Sequence, residues 1–200
     1  MTAVNIFVER DHARIYTDGG IYDKTGMIEG FMPKVIPMPH LNCVVICAGQ
    51  PATGWLAIGL VADIGGSFDE VVDKLQDATR SVRSHFDKSA IWLVGYSQRD
   101  GRMRAFMWSH EPVNGLPSFT RIRVEEIVMP QPCDASLSDG ADPVALMNSQ
   151  RQNLNASKGI QGSVVGGFIQ ETIVAEEGSK TRIIHRWPDV MGEKIHPIAA

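Results

Sequence analysis

Thr2 becomes N-terminal if Met1 is removed, and its small side chain is of the kind that permits removal. A threonine hydroxyl alone is a weak nucleophile. A free α-amine on the same residue, with an ordinary pKa of about 7.7–8.0, puts a base beside it. One residue then supplies both nucleophile and base. Asp18 follows the second strand-like segment and Lys34 opens the third. Hairpins can return both to the start of the first strand. A lysine there lowers the pKa of the amine and hydroxyl by its charge, and a carboxylate holds the lysine. Gly49 closes the run Cys47-Ala48-Gly49. Its N–H suits an oxyanion donor, because glycine lets a backbone approach a substrate closely.

These residues need elements to carry them. Residues 2–8 and 13–17 alternate and are rich in β-branched and aromatic types, which predicts a hairpin with its turn at 9–12. A glycine-bearing loop runs from Asp18-Gly19-Gly20 to about Pro33. A second strand pair covers 34–38 and 42–48. From Ala52 the spacing turns helical until Gly65-Gly66. Ser67 then reads as an N-cap with Glu70 three residues on, the capping-box pattern. Phe68, Val71, Val72, Leu75, Ala78, Val82 and Phe86 line one stripe of that second helix. Strands are expected at 90–96, 103–108 and 118–129, and a polar linker at 131–142. A helix follows at 142–156, with Pro143 at its first position. The last hairpin joins 164–174 to 181–187. Strands outnumber helices and come in hairpins, so the chain is not a strict βαβ alternation. The pattern predicts an α+β fold, with two antiparallel sheets face to face and helices outside each.

Thr2, Asp18, Lys34 and Ala48-Gly49 before a helix, at this spacing and in this element order, resemble the proteasome β-subunits and their bacterial relatives. The resemblance is strongest over residues 2–85. It implies a single N-terminal-nucleophile (Ntn) hydrolase domain over residues 1–200, a four-layer αββα sandwich. It also implies a threonine nucleophile tuned by Asp18 and Lys34, with the Gly49 N–H on the oxyanion. The family's later Asp-x-x-Ser-Gly segment corresponds to Gly162-Ser163-Val164-Val165-Gly166-Gly167. The aspartate position is Gly162 and the serine position is Val165, so Ser163 is the nearest substitute. The family's small Gly-Ser-Gly segment has no counterpart.

The bulk properties fit this class. Charged residues make up 21%, hydrophobic ones 44%, and the net charge is -4, with no basic cluster to track a nucleic-acid backbone. The start of the chain is not patterned as a signal peptide, and no apolar run approaches a membrane span. Cys43 and Cys47 read as buried small hydrophobes, and reduced thiols suit the cytoplasm. The six histidines have no ligand spacing, so neither metal nor cofactor is expected. Trp92 and Trp108 read as core, and Asp69, Asp73 and Asp77 as a solvated helix face. Three functions stay open: a peptide or amide hydrolase using Thr2, a non-catalytic assembly subunit of the same fold, and a hydrolase of small amides. A first helix that is apolar nearly all round, Trp55 included, predicts a homo-oligomer, in a ring or an open spiral.

Overall fold

The computed structural model describes residues 2–154 and 162–197. Strands β1 (Val4–Val8), β2 (His12–Asp18), β10 (Glu126–Met129), β11 (Phe168–Ala175) and β12 (Gly178–Arg186) form one antiparallel sheet, in the order β10-β1-β2-β11-β12. A second has the order β5-β6-β7-β8-β9, from β5 (Val35–Met38), β6 (Cys43–Ala48), β7 (Ala90–Ser97), β8 (Arg102–Ser109) and β9 (Ile122–Val124). A small third sheet pairs β3 (Gly20–Tyr22) with β4 (Ile28–Phe31). Three α-helices are described: α1 (Pro51–Ile64), α2 (Phe68–Ser81) and α3 (Pro143–Gln152).

The apolar run at 43–46 follows from burial on both faces, as in any strand inside a layered protein. Val44 and Ile46 join Trp92 and Val94 of β7 in a core shared with Val4, Ile6, Ala13 and Ile15 of the other large sheet. Cys43 and Val45 point the other way, with Ile91 and Leu93, against Ala57 and Val61 of α1 and Val71 and Leu75 of α2. A third cluster sets Leu146 and Met147 of α3 on Phe7, Tyr16 and Ile169 of the first sheet. Each fully buried aliphatic side chain contributes about 1.5–3 kcal/mol. Trp92 and Trp108 are core residues, as their sequence setting suggests.

The helix ends obey local rules. The Ser67 hydroxyl accepts the Glu70 N–H at 3.3 Å, and the Glu70 carboxylate accepts the Ser67 N–H at 3.1 Å. Asp142 caps α3 by accepting from Val144 and Ala145. Of the 142–156 helix, residues 155 and 156 lie outside the described residues. No helix among the described residues is long and apolar enough to cross a membrane.

Four expectations are corrected. There are three sheets, not two, because the glycine-bearing loop contains the β3–β4 hairpin. The strand read over 118–129 is two strands in different sheets, β9 on β8 and β10 on β1, with Glu125 between them. Residues 164–167 are loop, and β11 starts at Phe168. Asp69 and Asp73 do not simply face water. Asp69 accepts from the Ser97 hydroxyl at 2.6 Å and Asp73 pairs with Arg99 at 2.6 Å and Arg121 at 2.9 Å, tying α2 to the β7–β8 turn and to the approach to β9.

Candidate active site

The pairing of Val4 with Thr17 places the next residues, Ala3 and Asp18, side by side where β1 begins and β2 ends. Asp18 is fully buried. Its Oδ1 accepts the Ala3 N–H at 2.9 Å and the Lys34 ammonium at 2.7 Å. Its Oδ2 accepts the N–H groups of Gly20 at 3.2 Å and Gly166 at 3.3 Å. The Ala3 N–H belongs to the peptide that follows Thr2. One carboxylate oxygen therefore holds the peptide after Thr2 and the Lys34 ammonium together. Thr2 itself is buried. Met1 lies outside the described residues.

Lys34 leads into β5, and its side chain is 7% exposed. Burial strips water from the ammonium and pulls its pKa below the ordinary lysine value, while the charge and hydrogen bond of Asp18 push the other way. Gln170 of β11 fixes the backbone at this point. Its Oε1 accepts the Lys34 N–H at 3.0 Å, and its amide nitrogen donates to the Val35 carbonyl at 3.2 Å. Burial also raises the Tyr22 hydroxyl pKa, and the charge of Asp18 adds to that shift.

Gly49 lies at the same end of the second sheet, because the start of β5 pairs with the end of β6. Its φ of 132° suits glycine, and a Cβ there would come within 2.8 Å of the Ser89 Cβ. Packing against Ser89 thus already requires a glycine. Ser163 is buried, but its hydroxyl bonds within its own loop, accepting the Val165 N–H at 3.3 Å. The loop reaches Asp18 through the Gly166 N–H instead. Structure thus brings Thr2, Asp18 and Lys34 to one point, sets Gly49 at the same end, and adds Gly166 and Gln170. A polar Gln170 inside the apolar start of β11 was the available sequence signal for one of them; Gly166 fell on the glycine of the Asp-x-x-Ser-Gly pattern, but nothing there pointed to its bond with Asp18.

The histidines are not all isolated. On the exposed β1–β2 turn, ligand atoms of Glu9, Asp11 and His12 lie within 4.8 Å of one another. This group sits at the opposite end of the two strands from Asp18.

The fold is shared with solved structures of Anbu. Among solved structures the chain is similar to Anbu from Hyphomicrobium sp. strain MC1, with a TM-score of 0.64 and 16% identity over 92% of this chain and 88% of that one. A Gly-1 mutant of Anbu from that strain gives 0.65 and 16%, with the same coverage. Anbu from Yersinia bercovieri, described as an ancestral beta-subunit, gives 0.63 and 14% over 92% of this chain and 87% of that one. At these identities the likeness is one of fold. No protein-family model and no curated protein matches the sequence.

Proposed function

We propose that this chain is a proteasome-like threonine peptidase or amide hydrolase of the Ntn type, with Thr2 as nucleophile once Met1 is removed. The observation that carries the reading is the single Asp18 oxygen shared by the peptide after Thr2 and the Lys34 ammonium. The buried positive charge favours the alkoxide-like form of the Thr2 hydroxyl, and the free α-amine takes its proton. The hydroxyl oxygen attacks the amide carbon, and the Gly49 N–H stabilises the oxyanion. The leaving amine departs with a proton from the α-ammonium, and water then hydrolyses the ester on Thr2. The three core clusters support a four-layer αββα arrangement in a single domain. Free cysteines agree with a cytoplasmic setting. Trp55, 63% exposed on α1, supports self-association into a ring or spiral.

A second reading, a non-catalytic assembly subunit, is favoured by one observation: the Ser163 hydroxyl is engaged within its own loop. The experiment that separates the two is intact mass of the purified protein, followed by labelling with an electrophile that reacts with N-terminal threonine. Thr2→Ala abolishes labelling and amide hydrolysis, and Thr2→Ser keeps part of both. Lys34→Ala slows hydrolysis more than about a hundredfold, which is about 3 kcal/mol in the barrier. Retained Met1, labelling that persists in Thr2→Ala, or labelling that moves to Cys47 refutes the reading.

A further inference from the structure

The loop at 163–167 is held from behind by two buried charges. Arg151 of α3 and Asp189 near the end of the chain form a two-pronged ion pair, at 2.8 and 2.5 Å, with side chains 3% and 5% exposed. The Arg151 guanidinium also donates to the Val165 carbonyl at 3.0 Å and the His196 carbonyl at 2.9 Å, and it stacks over the Trp187 ring. Asp189 also accepts the Gly167 N–H at 2.7 Å. The loop is therefore fixed at the residues on both sides of Gly166. There is no slack at Gly166 either: a Cβ there would come within 2.8 Å of both Asp189 Oδ2 and Ile195 Cδ1.

The carbonyl of Val165 and the N–H of Gly166 belong to the same peptide unit. In a trans peptide they point in opposite directions. One end of this unit receives Arg151 and the other end donates to Asp18 Oδ2. A hydrogen bond to the carbonyl polarises the unit and strengthens the bond its N–H makes. We propose that Arg151 and Asp189 are positioning residues, which act through the Val165–Gly166 peptide to orient the Asp18 carboxylate and hence Lys34. They touch neither Asp18 nor Lys34 directly. Their consequence for catalysis rests on the Thr2 reading above, whereas their effect on Asp18 does not.

Amide hydrogen exchange of the full chain, read by NMR, tests the relay without any substrate. Asp189→Asn keeps the size of the side chain and one acceptor; Arg151→Lys keeps the charge but not the fork. In both, exchange at Gly166, Gly20 and Ala3 quickens by about tenfold or more, the worth of one charge-assisted hydrogen bond, while Leu93 and Val94 in β7 keep their rates. If only Gly167, the direct partner of Asp189, quickens, the relay is refuted. Equal acceleration in β7 reduces the pair to a general stabiliser and refutes it too. The second arm is the pH profile of Thr2 labelling. In Asp189→Asn the midpoint rises and kcat falls with KM unchanged, because Lys34 no longer holds its charge beside the amine. A midpoint identical to wild type overturns the link to the site. An unlabelled wild type sinks the nucleophile reading alone, and the exchange rates still decide the relay.

Discussion

Replacing Asp18 by Asn tests the physical centre of the site. The new side chain has nearly the same shape, so no cavity forms. It carries no charge, and one of its two terminal groups is now a donor. If its oxygen keeps Ala3 and Lys34, its NH2 faces the N–H groups of Gly20 and Gly166, donor against donor. The Lys34 ammonium, 7% exposed, loses its counter-charge. Breaking a buried pair by removing one partner costs about 3–5 kcal/mol, and the lost charge-assisted bonds overlap with that figure rather than adding to it. With a urea slope of about 2 kcal/mol per M, the midpoint falls by about 2 M. The pH dependence gives the sharper check. The folded pKa of Lys34 already lies below its ordinary 10.5, and both influences that raise it come from Asp18. Without them it drops further. Between the mutant's folded pKa and that of the wild type, the folded mutant has shed a proton that the folded wild type keeps, so the mutant gains stability on the wild type as pH rises. Urea unfolding followed by circular dichroism at about pH 7, 8.5 and 10 should show the destabilisation shrinking with pH. A loss below about 1 kcal/mol, or one that stays constant across that range, refutes the reasoning.

Gln170→Leu removes the partners of the Lys34 N–H and the Val35 carbonyl and should cost about 2 kcal/mol in urea unfolding; a cost near zero means that water replaces both bonds. Ser67→Ala removes one half of the α2 capping box and should cost about 1 kcal/mol in the same assay. Trp55→Glu should dissociate the assembly, read by light scattering as a shift toward the 21.9 kDa of a single chain. A wild type that already scatters at that mass overturns the self-association.

The large elements were legible because two signals coincided in them. At 43–48 and 90–97 the run was short, β-branched and bounded by turns, and at 67–75 a capping box preceded an apolar stripe. Pattern failed where tertiary pairing decides. The run 118–129 reads as one strand, and only its partners reveal a change of sheet at Glu125. The β3–β4 hairpin is three and four residues long and glycine-rich, too short for alternation to register. In the candidate site, the meeting of Asp18 with Lys34 and with the peptide after Thr2 could be anticipated because each lies at a strand end, and hairpins bring strand ends together. That of Arg151 with Asp189 could not, because they lie 38 residues apart and nothing local marks either as buried.

The change of sheet at Glu125 works like the spine of a book. One continuous stretch of backbone is the outermost strand of both large sheets, since β9 ends one order and β10 begins the other. Val8 also donates to the Glu125 carbonyl at 2.9 Å, so the crossing point is itself sewn to β1. Along this side the two covers cannot part without tearing backbone bonds. Opening between them is confined to the fore-edge, where β5 and β12 are the outer strands. There Gln170 is one clasp, reaching from β11 in one cover to the start of β5 in the other, beside Lys34. The topology therefore keeps one margin shut, and at the other the hold between the sheets is made by side chains: Gln170 at the start of β5, the Lys34–Asp18 pair beside it, and Asn42 on the Glu176 carbonyl.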